Sequence, residues 1–506
     1  MYATITTGSK QSAEAVAVLL HEKDHLLPES YARLDRESGG LLSSAIGRPD
    51  FTPTAGTAAA LHTALGPRLF VLGLGTKDQF HANHLRAAGS RLTGLLHSAK
   101  LRSLRLELGP LEQDAENAAR ALGEGIGLGR FVFDAFKGTA KDKDKGKRSA
   151  PRELSVTIGG RAAQSALSEG LTIAESVNIA RTLGATPPNV ANPAYLADYC
   201  RKLARDTGLK CTIIDAARAR SLNMGGLLAV GGAGSTPPAL ICLEHRPKAS
   251  GRTSRVSPIL LVGKAVTFDT GGYSIKPAES MVPMKYDKCG GMVVIGTMHA
   301  AARLGLDVPL VGLIPAAENL IGQTAYRPSD ILRLSNGVTV EVNNTDAEGR
   351  LILADALAYG CKTYKPSAVI DLATLTGAIV VALGSWSAGV FCNDEELYQR
   401  LLAASEASGE RIWRMPLWPE HRKHIKATHG DILNSGGREG AACTAAAFLS
   451  HFVARDGDFA RSEKVPWAHI DIAGVNDVSG ERDPTGIYPK GPTGFGVRLL
   501  LQMLAS

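Results

Sequence analysis

The sequence predicts an α/β protein of two domains: a smaller N-terminal α/β domain and a larger C-terminal one with a central mixed, mostly parallel sheet. Three observations support this prediction. The chain has 506 residues, a length that favours two or three domains. Short β-rich runs alternate with helical patterns, as they do in α/β layer structures. One breaker cluster, Thr186-Pro187-Pro188-Asn189, interrupts the alternation and marks a boundary.

The first part of the chain contains the elements of the smaller domain. Its predicted strands lie at residues 2–6, 15–20, 69–74, 103–108 and 154–158, and its predicted helices at 82–99 and 114–136. Helical periodicity then runs from residue 163 to residue 183 and stops at the breaker cluster, because proline cannot continue a helix. We therefore assign residues 1–162 to the N-terminal domain and residues 163–190 to a linking helix and junction.

Residues 191–506 form the second predicted domain. Its predicted strands lie at residues 211–214, 227–230, 239–243, 258–262, 310–314, 338–342 and 368–371, and its predicted helices at 291–304, 351–362, 395–408 and 441–456. The run 372–391 holds about 20 uncharged residues, the length of a membrane span. Because Gly377, Gly384 and Gly389 break this run, we predict a buried strand, a loop and a second buried segment, and no membrane partner.

Composition and charge limit the function classes. Hydrophobic residues make up 44% and charged residues 21% of the chain, which excludes disordered and fibrous proteins. Much of the net charge of +7 lies in the lysine-rich stretch 137–152, which predicts a solvated loop and, as a second interpretation, a nucleic-acid contact. The seven cysteines show no CxxC spacing, and no basic segment precedes the first apolar run. We therefore predict reduced thiols, no signal peptide and a cytoplasmic location.

An apolar strand of the second domain ends in a run of charged residues. Lys264, Asp269 and Lys276 lie around a Gly271-Gly272 turn directly after this strand. The C-terminal edge of a strand in an α/β sheet is where binding sites are usually built. The segment therefore predicts one wall of a functional site.

Two later segments carry more charge. Asp287 precedes an apolar helix, and Asp346, Glu348 and Arg350 stand at every second position of their segment. In an extended stretch such positions face the same side, so we expect the two carboxylates and the guanidinium to project together.

The four carboxylates of these segments would repel one another in a single site and would raise one another's pKa unless cations were present. Two divalent ions are the simplest neutralisation of their four negative charges. For any one of the acids alone, the competing interpretation is a solvated loop residue. Lys264 could equally reach from a strand end to solvent, and Arg350 could equally be a structural ion-pair partner.

An eight-residue run carries the most specific pattern: Asn344-Thr345-Asp346-Ala347-Glu348-Gly349-Arg350-Leu351. Five more motifs accompany it: Val262-Gly263-Lys264 with Thr267-Phe268-Asp269-Thr270-Gly271-Gly272, Lys276-Pro277, Met284 three residues before Asp287, Asp371-Leu372-Ala373-Thr374-Leu375-Thr376-Gly377-Ala378, and Thr493-Gly494-Phe495-Gly496-Val497-Arg498. Together they resemble the leucyl aminopeptidase family, the two-metal cytosol aminopeptidases. The resemblance covers the chain well from Pro188 to the C-terminus, and the first third only in outline.

The resemblance implies two divalent ions per subunit. It implies that the tightly bound ion is held by Lys264, Asp269, Asp287 and Glu348. The exchangeable ion would be held by Asp269, Asp346 and Glu348, so that Asp269 and Glu348 bridge. The metals implied are Zn or Mn, with Mg or Co also compatible with these ligands.

The resemblance also implies catalytic and substrate-binding roles. Arg350 would hold a bicarbonate that serves as general base, and Lys276 would polarise the scissile carbonyl and the oxyanion that follows. Ions about 3.5–4 Å apart can hold a bridging hydroxide and clamp both the substrate amine and its carbonyl. The residues implied to bind the substrate are Met284, Asp287, Thr374, Leu375 and Gly377.

The function implied is an exopeptidase that hydrolyses the N-terminal amino acid from peptides by a metal-bridging hydroxide, with a leucine-like and broad preference. Family members assemble as homohexamers, so we expect a homo-oligomer of that size. Some bacterial members bend DNA, which leaves a secondary DNA-binding role open.

The sequence departs from the family's pattern at three places. Lys288-Cys289 follow Asp287 where Met is usual, Ser329 stands where Gly is usual, and residues 181–185 depart from the usual end of the inter-domain helix. None of these positions is an implied metal ligand.

Two other function classes remain open at this point. A two-metal phosphoesterase or nuclease also uses carboxylate clusters, and it would be expected to show histidine ligands or a cationic groove. A non-catalytic binding protein related to the family would be expected to have lost ligands.

Overall fold

The computed structural model describes residues 3–8, 13–23, 26–46, 48, 50–62, 66–138, 153–247, 256–454, 464–478, 483 and 485–505. The chain divides into two compact units, Met1–Asn178 with Gly480–Lys490 and Ile179–Ser479 with Gly491–Ser506. This boundary falls inside a single long helix, Arg161–Ala185. The three-part division at residues 162 and 190 stays a prediction.

The first unit is built on one sheet. Its strands are β1 (Thr4–Thr7), β2 (Ala15–Leu20), β3 (Ala58–Leu61), β4 (Arg68–Gly73), β5 (Ser103–Glu107) and β6 (Glu153–Ile158), and its helices are α1 (Ala32–Glu37), α2 (Leu41–Ile46), α3 (Ala82–Ser98), α4 (Ala115–Gly129) and the start of α5 (Arg161–Ala185). The strand order is β1-β6-β5-β2-β4-β3. All pairings in the described part of this sheet are parallel except that of β3 with β4.

Both faces of this sheet are covered, and β2 shows why. Every residue of β2 is buried. Since side chains alternate along a strand, Ala17 packs with Leu122 of α4 on one face, whereas Val18 packs with Tyr31 on the other. Continuous apolar runs of this kind are typical of parallel strands buried on both faces.

The second unit contains, among its described residues, the larger sheet, a three-stranded sheet and a two-stranded sheet. Its strands are β7 (Lys210–Ile214), β8 (Ala239–His245), β9 (Ile259–Gly263), β10 (Ala265–Asp269), β11 (Leu310–Asn319), β12 (Ile331–Arg333), β13 (Thr339–Glu341), β14 (Ala368–Ala373), β15 (Ala388–Cys392), β16 (Ile412–Arg414), β17 (Ile432–Leu433), β18 (Trp467–Asp471), β19 (Asp477–Val478) and β20 (Gly491–Pro492). The main sheet has the order β16-β15-β18-β14-β9-β11-β8-β7, and β10 pairs with β11 outside this path.

Helices complete this unit. They are α6 (Pro193–Thr207), α7 (Ala216–Ser221), α8 (Gly225–Val230), α9 (Ala278–Met281), α10 (Cys289–Leu304), α11 (Glu348–Tyr364), α12 (Gly377–Leu383), α13 (Glu395–Ser408), α14 (Pro419–His424), α15 (Ala441–Leu449) and α16 (Val497–Ala505). The central pairings of β18, β14, β9 and β11 are parallel, and β8 and β15 pair antiparallel with their inner neighbours. The predicted fold class, two α/β domains with a mixed, mostly parallel sheet in the larger one, is confirmed.

One predicted strand is wrong, because residues 227–230 belong to α8. The carboxylate of Asp355, on α11, is buried and accepts a hydrogen bond from the Leu227 N–H at 2.9 Å. Its other oxygen accepts from the Ser335 N–H at 2.8 Å. An anion at a helix N-terminus satisfies free N–H groups and favours the helix. The apolar run alone could not reveal this partner, since it lies 128 positions away.

Several predicted boundaries also differ. The helix predicted at 114–136 ends at Gly129, the helix predicted at 441–456 ends at Leu449, and the helix predicted from residue 351 already begins at Glu348. The run 372–391 contains α12 between its two strands, where a loop was predicted. Within the described ranges, no helix is long and apolar enough to cross a membrane.

Two further predictions concern cysteines and the basic stretch. All seven cysteines are free, as predicted, and six of them are buried. Of the basic stretch 137–152, residues 139–152 lie outside the described residues, so the loop assigned there stays a prediction.

The departure at Ser329 has a conformational consequence. The backbone φ of Ser329 is +76°, in the left-handed region. A side chain there costs about 1 kcal/mol relative to glycine. Glycine, which the resemblance implies at this position, would adopt this backbone conformation without that cost.

Candidate active site

Strands β9 and β10 bring two charged residues to the C-terminal edge of the large sheet. Lys264 directly follows β9, which lies between the parallel strands β11 and β14. Asp269, at the end of β10, stands opposite Asn319 of β11. Asp269 Oδ1 accepts hydrogen bonds from the Gly271 N–H at 2.8 Å and from Asn319 Nδ2 at 2.7 Å. The φ angles of +85° at Gly271 and +61° at Gly272 explain the glycine turn.

Asp287 lies between the 3₁₀-helix Val282–Tyr286 and α10, and it is buried. Its Oδ1 accepts hydrogen bonds from Lys264 Nζ and from Thr374 Oγ1, both at 2.8 Å. Its Oδ2 is buried without a hydrogen-bond partner among the described residues. Because buried polar atoms rarely lack partners in native proteins, this oxygen marks a place for a ligand.

The extended arrangement predicted for Asp346, Glu348 and Arg350 is wrong. Glu348 is the first residue of α11, so Arg350 lies within the helix and Asp346 precedes it. Positions two apart on a helix do not face the same side. Glu348 Oε1 meets Lys264 Nζ at 2.8 Å, whereas Arg350 Nη1 donates to the Asn434 carbonyl at 2.9 Å. The two acids still reach one site, because Asp346 approaches from the loop.

Lys264 lies at the centre of the buried acids. Its Nζ contacts Asp287 Oδ1, Glu348 Oε1 and the Thr374 carbonyl, each at 2.8 Å. The side chain passes over the start of α11 at Gly349. A Cβ at Gly349 would lie 2.5 Å from Lys264 Cε, so a larger residue there would displace the Lys264 side chain.

Lys276 contacts two other carboxylates of the cluster. Its Nζ lies 2.9 Å from Asp269 Oδ2 and contacts Asp346 Oδ1. Asp269, Asp346 and Glu348 can each present one oxygen within 4.8 Å of one another. These three carboxylates could therefore surround a single cation.

Burial and mutual repulsion disfavour the charged forms of three of the four acids. Burial raises the pKa of Asp346 to about 6, and the neighbouring Glu348 and Asp269 carboxylates add to the shift. Burial likewise raises the pKa of Asp269 and, more strongly, that of Asp287. Burial also opposes the charge of Glu348, but the ammonium groups of Lys264 and Lys276 outweigh it and lower the pKa of Glu348. Bound cations would offset the electrostatic repulsion between these carboxylates.

The two lysines carry positive charge in this arrangement. Burial opposes that charge, but the surrounding carboxylates outweigh it, so the pKa of Lys264 and that of Lys276 are both raised. Burial lowers the pKa of Arg350 to about 10. Arg350 Nε is buried without a hydrogen-bond partner among the described residues. The guanidinium therefore retains a donor for an anion.

Three of the predicted substrate-binding residues, Thr374, Leu375 and Gly377, follow β14. Thr374 contacts Asp287 through its hydroxyl group, and the Leu375 N–H donates to Asp471 Oδ1 at 3.1 Å. Gly377 opens α12, and a Cβ added there would meet no atom within 4 Å. Met284 lies in the 3₁₀-helix before Asp287. Of these four residues, Thr374 has a direct hydrogen bond to the carboxylate cluster. The other three lie within three residues of Thr374 or of Asp287 in the sequence.

Two supporting residues, Asn319 and Asn434, were missed in the sequence, and a third, Thr345, was named only as part of the eight-residue run. Asn319 and Thr345 join the Asp269 segment to the Asp346 segment, since Asn319 Nδ2 donates to the Thr345 carbonyl at 3.0 Å. Asn434 fixes the Asp346 loop by donating to the Asn344 carbonyl at 2.6 Å. Asn319 ends a strand at the sheet's functional edge and could have been found for that reason. Asn434 carries no comparable signal.

The donor set fits divalent cations: four carboxylates converge with two lysine side chains at the C-terminal edge of the central parallel strands, and among the described residues Asp287 Oδ2 is buried without a hydrogen-bond partner. Hard divalent ions prefer such oxygen-rich sites. Fold and site together define an α/β protein with a carboxylate-rich site for divalent cations.

Comparison with known proteins identifies the family. The pattern of the cytosol aminopeptidase family's catalytic domain matches residues 178–501, and that of its N-terminal domain matches residues 16–140. The chain belongs to the cytosol aminopeptidase family. The resemblance predicted from the motifs, the enzyme class of aminopeptidase and the two-domain architecture are thereby confirmed.

Individual relatives agree with this assignment. A probable cytosol aminopeptidase of Nitrosococcus oceani is 39% identical over 99% of this chain and 97% of its own length. Tomato leucine aminopeptidase, solved as a mutant, superposes with a TM-score of 0.84 at 31% identity, covering 100% of this chain and 96% of its own. The bottromycin maturation enzyme BotP in complex with Mn gives 0.82 at 33% identity, covering 97% and 99%.

Proposed function

We propose that this protein is a two-metal exopeptidase that hydrolyses the N-terminal amino acid from peptides, with a leucine-like and broad preference. The observation that carries the proposal is the convergence of Asp269, Asp287, Asp346 and Glu348 on Lys264 and Lys276. Membership of the cytosol aminopeptidase family supports the aminopeptidase activity.

We assign the metal ligands residue by residue. Lys264, Asp269, Asp287 and Glu348 would hold the tightly bound ion. Asp269, Asp346 and Glu348 would hold the exchangeable ion, and their oxygens can lie within 4.8 Å of one another. When bound, two such ions lower the pKa of water and polarise a carbonyl oxygen. The remaining chemistry belongs to the side chains.

Lys276 and Arg350 are the proposed catalytic residues. The raised pKa of Lys276 keeps its ammonium group protonated, so that it can donate to the scissile carbonyl oxygen and to the oxyanion that forms there. Arg350 has one N–H without a hydrogen-bond partner among the described residues and can hold a bicarbonate anion. Arg350 would hold this anion beside the metal site, where the anion would supply a general base.

The free N-terminus of the peptide is proposed to bind beside Asp287, whose Oδ2 has no hydrogen-bond partner among the described residues. Met284, Thr374, Leu375 and Gly377 would line the position of the first residue. The open space beside Gly377 supports this placement.

Chelation is expected to abolish hydrolysis of aminoacyl anilides, and re-addition of one divalent metal at a time is expected to restore it. We propose Zn or Mn as the native ion, with Mg or Co also compatible with these ligands, and the Mn complex of BotP supports Mn. The measurement is a panel of aminoacyl p-nitroanilides, assayed after removal of metal verified by elemental analysis. Full activity in the metal-free protein would contradict the proposal.

The alternatives are less well supported. The described cluster contains no histidine, which disfavours a two-metal phosphoesterase or nuclease, and all implied ligands are present, which disfavours a non-catalytic relative. The segment considered for DNA binding lies almost wholly outside the described residues, so no observation favours that role. The family's name supports a cytoplasmic location.

We also propose a homohexamer that encloses the sites in a shared cavity, on the family resemblance alone. Light scattering is expected to report about six times the 53.2 kDa mass of the chain. An enclosed site would limit substrates to short or unfolded peptides, so folded proteins with free N-termini should be resistant. A stable and fully active monomer would contradict this assembly.

A further inference from the structure

Lys288 is fully buried and has an unusual set of partners. Its exposed fraction is 0%. Its Nζ donates to the carbonyl oxygens of Gly184 at 3.1 Å, Thr186 at 3.0 Å and Lys285. An ammonium group has three N–H donors, so these three carbonyls use all of them. Removing a buried donor leaves its acceptors unsatisfied, which is costly.

The three carbonyls come from two separate segments. Gly184 lies near the end of α5, and Thr186 begins the breaker cluster that follows. Lys285 lies in the 3₁₀-helix Val282–Tyr286, which leads directly into Asp287. The Lys288 side chain therefore joins the end of α5 to the segment that carries an implied metal ligand.

Cys289 packs at the same place as Lys288. A Cβ added to Gly184 would lie 3.2 Å from Cys289 Sγ, so Cys289 packs against this residue. The two residues that follow Asp287 therefore both contact the end of α5, Lys288 by hydrogen bonds and Cys289 by packing.

The position of Asp287 depends on the backbone segment that the Lys288 side chain anchors. The Asp287 N–H donates to the Met284 carbonyl at 3.2 Å, and the following residue is anchored by its side chain. The Asp287 carboxylate itself contacts Lys264 and Thr374 from the sheet side. The carboxylate is therefore positioned from both directions.

We propose that Lys288 is a positioning residue that fixes residues 284–288 against the end of α5, and so sets the Asp287 carboxylate for the metal site. The inference rests on the proposed two-metal function. Lys288 acts through Asp287, because its own ammonium group is fully engaged with backbone carbonyls.

The test compares Lys288→Met, which keeps a side chain of similar length but removes the three N–H donors, with Lys285→Met as a matched control. Lys285 is a partly exposed lysine of the same segment, whose carbonyl contacts Lys288 but whose side chain does not take part. Equilibrium dialysis with Mn²⁺ alone measures the number of ions bound and their affinities. Thermal unfolding, kcat and KM are measured on the same samples.

Lys288→Met is expected to bind one of two Mn²⁺ ions roughly 10–100-fold more weakly, the usual effect of losing a residue that supports a metal ligand. The Lys285→Met variant should bind both ions as the unaltered protein does. If Lys288→Met is folded and binds both ions with unchanged affinity, the inference is wrong. An unaltered protein that binds no divalent ion would instead contradict the proposed function itself.

A second variant covers the case in which Lys288→Met does not fold. Lys288→Ala leaves a space beside the three carbonyls, and methylammonium is small enough to donate to them. Methylammonium is expected to restore Mn²⁺ affinity and the unfolding temperature, whereas tetramethylammonium, which has no N–H, is not. Equal effects of the two cations would overturn the proposal.

Discussion

N-acetylated peptides are expected to be cleaved more slowly than free peptides by several orders of magnitude, on the order of 10⁴-fold. A site built to bind a polar substrate group rejects analogues that lack it by about that factor. Here the free amine is proposed to meet the metal site beside Asp287, whose Oδ2 is buried without a partner among the described residues. Acetylation removes the amine's lone pair and adds bulk at the same point.

The comparison needs matched substrates. Leucine p-nitroanilide and its N-acetyl derivative differ only at the amine, so kcat/KM for the pair reports that single interaction. A peptide with an internal leucine and a blocked N-terminus serves as the test for endopeptidase activity. Comparable rates on blocked and free substrates would point to an endopeptidase and would refute the exopeptidase assignment.

Replacing each of the two lysines of the cluster by alanine is expected to impair a different property of the enzyme. Lys264→Ala should lose metal, whereas Lys276→Ala should retain both ions and lose turnover. Both side chains contact carboxylates in the structure, so these contacts alone do not separate their roles. The different losses would distinguish a metal ligand from a catalytic donor.

Lys264 must change its protonation state to act as a ligand. The surrounding carboxylates raise its pKa above the ordinary value in spite of burial. A coordinating amine has to be neutral, so metal uptake should release a proton from this site. Without the Lys264 amine, the tightly bound ion loses one of its four proposed ligands, and occupancy should fall.

Lys276 keeps its proton in the proposed mechanism. Its loss should lower kcat by roughly 10²–10³-fold, as loss of a donor to an oxyanion typically does. Elemental analysis of metal per subunit, alongside kcat and KM, distinguishes the two variants. Lys285→Ala, which alters a lysine outside the cluster, controls for nonspecific effects of removing charge. Two ions retained in Lys264→Ala, or one lost in Lys276→Ala, would reverse the assigned roles even if the enzyme class is right.

The enzyme class could be predicted from sequence because its chemistry is carried by contiguous motifs. Asp346 and Glu348 belong to one eight-residue run, and Lys264, Asp269 and Lys276 belong to one short stretch, residues 264–276. The fold class was equally accessible, since buried strands such as β2 and β9 are continuous apolar runs. Hydrophobic pattern and local spacing were sufficient for both.

Local backbone conformation was harder to predict from the sequence. The every-second-position pattern of Asp346, Glu348 and Arg350 suggested an extended segment, but Glu348 opens a helix. The apolar run at 227–230 suggested a strand, but the distant Asp355 carboxylate supports a helix start there. In both segments a short pattern fits two periodicities, and tertiary contacts decide between them.

The sequence alone determined the family, the layered α/β architecture and the identity of the charged residues. The tertiary structure decided which of those residues touch: Lys264 meets Asp287 from 23 positions away and the Thr374 carbonyl from 110. It also decided that Lys288 joins the end of α5 to the Asp287 segment, across 104 positions. Contacts over such separations depend on how strands and helices pack together, and no local spacing in the chain records that packing.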